Sequence, residues 1–410
     1  MIGIKEDKER RFRIAAAKTI GTQMQRVRQC DKELVSKRWI WELIQNANDC
    51  TENELNIKMR FSQNEFEFSH DGKCFNSESL LSLVTQLSTK GFEENEDFVG
   101  KFGTGFMTTH LLSEKVEILG KFLKADNIKI PLEFELDRSF ISYKEIEQSL
   151  EKTLSYLDSL DEELMNYEDK GGISVINEFE TKFKYNIGND NKNIVILGIE
   201  EIFRNYGYLL AFNRNIKTIS YNNITFFRKS EEELEEDILK IVISKKENGE
   251  IEDLEVLIVN SENVDIGIQI KEKEIKEIDK NIPRLFCKFP LIGSEEFKFP
   301  VVINSSKFEV YEQRNTIYEE SPQNKNIMKE AADLYIKLLG YLGKNNYEKM
   351  HNLCERAFKI EFLSDEKLKE VRSALFFTKM IKTSTGNFEA FGIPNNKGGG
   401  NLNTAVINFI

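Results

Sequence analysis

The feature that most constrains the fold of this chain is a polar stripe on an otherwise apolar helix. Residues 42 to 49 read Glu-Leu-Ile-Gln-Asn-Ala-Asn-Asp. Because each residue of an α-helix turns by about 100°, Glu42, Asn46 and Asp49 fall on one side. Buried polar side chains need partners, so the stripe is either capping and surface polarity or a binding site. The surrounding apolar positions predict a helix packed against a sheet: Val35, Trp39, Ile40, Leu43, Ile44 and Ala47.

A β-hairpin is predicted directly after this helix. Apolar residues alternate with polar ones over 55–61 and again over 66–68, and a period of two is typical of strands. The second strand runs into residues 69–75, which contain Asp71 and Gly72. The end of a strand is a place where a ligand can approach the backbone.

A glycine-rich stretch follows the hairpin. Gly100, Gly103 and Gly105 precede an apolar run from Met107 to Leu112. Closely spaced glycines let backbone N–H groups face phosphates at the start of a helix. Taken alone, this spacing is more often an ordinary loop.

The three segments in this order resemble the GHKL ATPase superfamily, which includes gyrase B, the large heat-shock chaperone, histidine kinases and MutL. The residues 70–75 (His-Asp-Gly-Lys-Cys-Phe) and 100–106 (Gly-Lys-Phe-Gly-Thr-Gly-Phe) are most similar to sacsin-type ATPase domains. Ser88-Thr89-Lys90 resembles the edge of the superfamily's lid. The resemblance spans residues 30–190. It implies an α/β two-layer sandwich of the Bergerat (GHKL) type with a mixed sheet.

The resemblance implies ATP and Mg²⁺ as cofactors and assigns roles to the helix stripe. Glu42 would be the general base for water, Asn46 the Mg²⁺ ligand, and Asp49 part of the nucleotide pocket. One amide oxygen suffices, because Mg²⁺ usually keeps several waters and binds substrate phosphates as well. Glu42, one turn before Asn46, would orient or deprotonate the attacking water.

The resemblance also places the base and the phosphates. Gly72 would let the chain pass close to adenine. Phe75 belongs to the same turn. Thr181 would hydrogen-bond adenine directly or through water, although Thr is also common in strands. Lys90 or Lys101 would add positive charge near the phosphates. Gly100, Gly103 and Gly105 would form the lid over the phosphates, with Phe102 and Phe106 packing beneath them. Lys101 and Thr104, in the same stretch, would also belong to the nucleotide site.

One position departs from the superfamily. Where its members carry an Asp that accepts a hydrogen bond from the adenine amino group, this chain has His70, followed by Asp71. Alternation puts His70 on the side of Phe66 and Phe68, so it is either a core histidine or a base contact. A neutral imidazole nitrogen can accept a hydrogen bond from adenine. Purine selectivity is therefore the open part of the site.

Further organisation is predicted from composition along the chain. We expect an ATP-binding domain over 1–189, a transducer-like α+β domain over 190–322 and a helical region with a loop-rich tail over 323–410. Helices are predicted over 9–29, 143–169 and 323–360, and the acidic run 231–237 is predicted to be a solvated helix face. The helix over 9–29 has a basic face that is either solvated or part of an arm reaching a second subunit.

Superfamily relatives insert a Lys, Gln or Arg from the following domain toward the γ-phosphate. The candidates here are Lys307, Gln313 and Arg314, and the alternative is an exposed charged loop.

Composition excludes several classes of function. The chain has 57 basic and 69 acidic residues, a net charge of −12, which argues against a broadly electropositive nucleic-acid surface. The five scattered cysteines fit reduced thiols, not a disulfide framework or a zinc site. No run approaches the roughly 18 to 20 apolar residues of a membrane helix, and the N-terminus lacks a signal-peptide core. We therefore expect a cytoplasmic protein without a membrane partner, for which nucleic acid is a disfavoured partner that only a local basic patch would bind.

The resemblance implies slow Mg²⁺-dependent ATP hydrolysis that drives lid closure and a domain or dimer rearrangement. The chain would work with a protein client or partner, as a chaperone or as the ATPase part of a microbial defence system. The alternative is a nucleotide-sensing scaffold that binds ATP with little turnover. A histidine kinase is disfavoured, because neither His110 nor His351 lies in a convincing dimer helix.

Overall fold

The computed structural model describes residues 4–30, 32–51, 53–87, 105–123, 129–167, 181–311, 313–354, 356–357, 360, 362–382 and 388–390. The chain forms two compact units. Unit 1 comprises Met1–Phe203 and Asn215–Phe226, and unit 2 comprises Arg204–Arg214 and Phe227–Ile410. The three-part division at residues 189 and 322 stays a prediction.

Unit 1 is an α/β fold with a mixed sheet. Its described strands run in the order β6-β1-β2-β5-β3-β4, in which β1 and β6 are parallel and the other pairs antiparallel. The last turns of α6, from Arg204 onward, belong to unit 2. In chain order the elements are α1 (Ile4–Gln29), α2 (Lys32–Ser36), α3 (Trp39–Asp49), β1 (Leu55–Ser62), β2 (Glu65–His70), α4 (Ser77–Thr85), a 3₁₀ helix (Gly105–Leu111), β3 (Lys115–Leu123), β4 (Lys129–Asp137), α5 (Tyr143–Tyr167), β5 (Thr181–Asn186), a 3₁₀ turn (Asn189–Asn191), α6 (Lys192–Phe212) and β6 (Ile216–Tyr221).

The predicted hairpin is confirmed as β1 and β2. Its register closes at the pair Ser62 and Glu65, around a turn in which Gln63 adopts a φ of 51°. The alternating apolar residues face the helices, and Phe66 packs edge-on against Trp39 with ring centroids 5.1 Å apart. Trp39 also donates from Nε1 to the carbonyl of Ile194 at 3.0 Å. These contacts fix α3 on the sheet.

A second apolar cluster joins the helices of unit 1. The helices predicted over 9–29 and 143–169 are confirmed as α1 and α5. They pack on each other, and α1 also packs on the 3₁₀ helix. The cluster consists of Ala17, Ile20, Met24, Met107 and Ile146. It holds the 3₁₀ helix, whose first residue is Gly105, in a fixed place.

Unit 2 contains the remaining strands and two long helices. Its described strands run in the order β7-β8-β9-β10-β14-β12-β13, with β11 paired to β10. The elements are β7 (Ile224–Glu235), which begins in unit 1, β8 (Ile238–Glu247), β9 (Glu250–Asn260), β10 (Asp265–Lys271), β11 (Glu274–Ile275), β12 (Leu285–Cys287), β13 (Phe289–Pro290), β14 (Val302–Asn304), α7 (Pro322–Lys344), a 3₁₀ helix (Met350–Leu353), α8 (Asp365–Phe377), β15 (Lys379–Lys382) and β16 (Phe388–Ala390).

The predicted helix face over 231–237 is wrong. These residues complete β7 and the tight turn into β8, where Asp237 adopts a φ of 63°. The acidic side chains are exposed on the strand and form ion pairs, such as Glu232 with Lys240 at 3.0 Å. A run of like charges indicates solvent exposure, and an exposed strand meets that condition as well as an exposed helix does.

The helix predicted over 323–360 is confirmed only as far as Lys344. It begins behind Ser321, whose side chain accepts a hydrogen bond from the backbone N–H of Asn324. Beyond its end, Asn346 and Lys349 each adopt a φ of 57°, which breaks the helix. In the described part of the chain, no helix is both long and apolar enough to cross a membrane.

Candidate functional site

The polar stripe on α3 is present as predicted. Glu42, Asn46 and Asp49 are half-buried, whereas residues 43–45, 47 and 48 are fully buried. Among the described residues, neither the Glu42 carboxylate nor the Asn46 side-chain amide has a hydrogen-bond or ion-pair partner. Two half-buried polar groups therefore make no hydrogen bond or ion pair with the part of the chain that the structure describes.

Gly105 lies directly against Glu42. A Cβ added to Gly105 would overlap with Oε2 of Glu42 and lie 2.7 Å from its Cδ. Only a glycine lets the backbone come this close to the carboxylate. The last glycine of the glycine-rich stretch and the first residue of the polar stripe are thus in contact.

Aromatic rings support the start of the 3₁₀ helix. Phe106 is buried and packs against Phe183 with centroids 5.3 Å apart. Phe75, also buried, packs edge-on against the same ring at 6.4 Å. Phe75 and Phe106 therefore pack on the same ring, that of Phe183 on β5.

The turn after β2 is held against the C-terminal end of α3. A Cβ added to Gly72 would lie 3.0 Å from the carbonyl oxygen of Cys50 and 3.4 Å from that of Ala47. The next residue, Lys73, donates its backbone N–H to Cys50 at 2.7 Å. The predicted turn therefore contacts the C-terminal end of the helix that carries the polar stripe.

His70 is buried at the end of β2. Burial lowers the pKa of His70 to about 4, against the opposing effect of the Asp71 carboxylate, so the ring is neutral at pH 7. Its Nδ1 accepts the backbone N–H of Gly72 at 3.3 Å. Thr181, also buried, is its direct cross-strand neighbour on β5. Directly paired residues point to the same face of a sheet.

Asp71 is bound by a residue that the sequence did not single out. Its two carboxylate oxygens accept from the backbone N and the Nδ2 of Asn56, at 2.6 and 2.7 Å. Asn56 in turn accepts from the hydroxyl of Thr218 at 2.7 Å. This Asp71–Asn56–Thr218 network links the turn to β1 and β6. The only signal for it was a polar residue inside each strand.

Several predicted site residues lie outside the described residues. They are Ser88, Thr89, Lys90, Gly100, Lys101, Phe102, Gly103 and Thr104. Their roles as lid and phosphate contacts stay predictions.

The candidates for a γ-phosphate contact all belong to unit 2. The Lys307 ammonium donates to Oδ1 of Asn263 at 2.8 Å, and Gln313 is exposed. Arg314 adopts a φ of 49° and donates its backbone N–H to Tyr311 at 2.7 Å. Which of the three approaches a phosphate stays a prediction.

The donor set fits a nucleotide-linked Mg²⁺ better than a protein cage. The described residues contain no group of three or more His, Cys, Asp or Glu side chains that could hold a metal ion. A single amide oxygen such as that of Asn46, completed by waters and phosphates, is an ordinary environment for Mg²⁺.

Comparison with known proteins adds no assignment. No protein-family model matches the sequence, and no curated protein matches it.

Proposed function

We propose that this protein is a Mg²⁺-dependent ATPase whose unit 1 is a nucleotide-binding domain of the Bergerat (GHKL) type. The observation that carries the proposal is the contact between Glu42 and Gly105. It joins a half-buried carboxylate, without a described partner, to the end of a glycine-rich stretch. Such a stretch is suited to phosphates, and such a carboxylate to a water molecule.

We give the α3 residues the roles that the motif resemblance implies, and their shared half-buried stripe supports these roles. Asn46 lies one turn beyond Glu42 on the same half-buried stripe, and its side-chain oxygen would hold Mg²⁺. Mg²⁺, when bound with the nucleotide, supplies positive charge to the phosphate oxygens. Glu42 orients the attacking water and takes its proton, while Asp49 lines the pocket. Gly105 keeps the carboxylate in place because it has no side chain to displace it.

The remaining roles concern closure and coupling. The segment from Lys90 to Phe106 would close over the phosphates, and Lys307, Gln313 or Arg314 would complete the site. Closure excludes water and assembles the catalytic groups, so it is expected to limit turnover. ATP would then act as a switch for a domain or dimer rearrangement that serves a protein partner, in a chaperone or a microbial defence system.

The proposal is tested by separating binding from hydrolysis. We expect Glu42→Gln to bind ATP like the wild type, measured by calorimetry with Mg²⁺, but to lose roughly 100-fold or more in single-turnover hydrolysis, as removal of a general base does. Asn46→Ala should lose the Mg²⁺ dependence of binding. Glu65→Gln, an exposed substitution on the hairpin, is the matched control and should change neither quantity.

Two other outcomes of these measurements would change the proposal. If the wild type binds no ATP, the proposal is wrong. If ATP binds but wild type and Glu42→Gln share the same slow hydrolysis, the chain is the alternative, a nucleotide-sensing scaffold with little turnover.

A further inference from the structure

The turn after β2 carries two polar side chains that a ligand could meet. Asp71 is the obvious acceptor, and each of its oxygens already accepts one hydrogen bond from Asn56. At 2.6 and 2.7 Å, these bonds hold the carboxylate toward β1 and occupy one lone pair of each oxygen. The neighbouring side chain supplies a polar atom without such a bond.

His70 is that neighbour, and its tautomer is fixed by a backbone contact. The N–H of Gly72 can only donate, so the Nδ1 atom that receives it must carry a lone pair. The ring is buried, and burial lowers its pKa to about 4, so it is neutral. A neutral imidazole with a lone pair on Nδ1 carries its proton on Nε2. No described residue accepts that Nε2–H.

The position of Gly72 makes this tautomer hard to change. Gly72 is packed so tightly on the end of α3 that a Cβ would lie 3.0 Å from the Cys50 carbonyl and from Nδ1 of His70. Moving the Gly72 N–H away from His70 would require the turn to leave α3. The backbone at Gly72 therefore favours the tautomer of His70 in which Nε2 donates.

We infer that the nucleotide base is read by the Nε2–H of His70, so that the pocket accepts purines with an oxygen at position 6 at least as well as adenine. This inference rests on the proposed nucleotide-binding function. The 6-amino group of adenine is a donor and would face another donor, whereas the 6-oxygen of hypoxanthine or guanine accepts. Thr181, the cross-strand neighbour of His70, carries a hydroxyl that can donate or accept and so opposes neither base.

The test compares nucleotides that differ at this edge. Full-length protein is titrated by calorimetry with ATP, inosine triphosphate and GTP in the presence of Mg²⁺. We expect inosine triphosphate to bind as tightly as ATP or up to roughly tenfold more tightly, the usual size of one buried hydrogen-bond mismatch. A preference for ATP of tenfold or more would overturn the inference and leave the ATPase proposal standing. If none of the three nucleotides binds, both fail.

A variant and a spectroscopic measurement sharpen the result. His70→Asp replaces the donor with an acceptor and should shift the preference toward ATP by about tenfold. His351→Asp, a substitution of the same kind in unit 2, should leave the preference unchanged. Because a buried carboxylate at position 70 can impair folding, the tautomer is also measured directly in the wild type. Nitrogen NMR of the imidazole should show a proton on Nε2, and a proton on Nδ1 would contradict the inference.

Discussion

Gly105→Ala is the sharpest perturbation of the site, because it adds a single methyl group beside the carboxylate of Glu42. The new Cβ would overlap with Oε2, and it would lie 2.7 Å from Cδ and 3.5 Å from Cγ. Since carbon atoms in ordinary contact are about 3.5 Å or more apart, the carboxylate must move by roughly 1 Å. Cγ can stay where it is, so the change is confined to the reactive end of the side chain.

The cost to folding should be small. Glu42 is half-buried, and its far end can rotate at a cost of about 0.5 to 1.5 kcal/mol. The replacement of glycine by alanine in a helical turn gives back about 0.5 to 1 kcal/mol. We therefore expect the free energy of unfolding of Gly105→Ala to remain within about 1 kcal/mol of the wild type.

The cost to hydrolysis should be large. A misplacement of about 1 Å in a catalytic group costs roughly 100-fold in rate, equivalent to about 2.7 kcal/mol of transition-state stabilisation. The assay measures single-turnover ATP hydrolysis, the dissociation constant of ATP and the denaturant midpoint on the same preparation. We expect the rate to fall about 100-fold, while the dissociation constant changes by no more than a few-fold.

Gly198→Ala provides the matched control, because it meets a rigid neighbour. Its Cβ would lie 2.5 Å from Cε2 and 2.6 Å from Cζ2 of Trp39, a fully buried ring held by its bond to Ile194. The ring cannot rotate away, so we expect a loss of about 1 to 3 kcal/mol in stability. The reasoning is refuted if Gly105→Ala hydrolyses ATP at the wild-type rate, or if it loses as much stability as Gly198→Ala.

Two further predictions concern the same unit. Burial lowers the pKa of His70 to about 4, and burial together with Arg138 lowers the pKa of His110 to about 3, both below the 6.5 of an ordinary histidine. The unfolded chain therefore binds more protons below pH 6.5, so stability is full above that pH and is lost as the pH falls toward 4 and 3. Lowering the pH from 7.5 to 5.5 should cost about 1 kcal/mol per histidine in urea unfolding; a pH-independent midpoint would contradict this. Asn56→Asp places a carboxylate against that of Asp71, so it should weaken ATP binding measured by calorimetry and destabilise unit 1 by about 1 to 3 kcal/mol, whereas the exposed Asn189→Asp should do neither.

The sequence predicted the elements whose periodicity is strong. The stripe of α3 and the β1–β2 hairpin follow from spacings of 3.6 and 2 residues, which local geometry dictates. The sequence predicts a helix face for the acidic run 231–237, and this prediction is wrong. A run of charges indicates solvent exposure but has no periodicity that distinguishes a helix from a strand. The sequence also locates the turn after β2, but it does not predict the hydrogen bond that His70 receives, because this bond depends on the direction of one backbone N–H at Gly72.

The sequence does not predict long-range hydrogen bonds either, for a different reason. Asn56 and Thr218 are separated by 162 positions. No local pattern specifies such a pair, and only the parallel pairing of β1 with β6 brings it together. The contact between Glu42 and Gly105 is similar, because the motifs predict both residues but not their proximity.

The same parallel pairing determines when the site becomes complete during folding. The hairpin and the bonds between Asn56 and Asp71 join residues 15 positions apart, and such local contacts form early. The strand that carries Thr218 is made much later by the ribosome, and parallel pairing over a long loop is intrinsically slow. A nascent chain that ends before residue 216 would already hold the turn near α3 but would lack the bond that anchors Asn56. Nucleotide binding is therefore expected to arise only after β6 has joined the sheet.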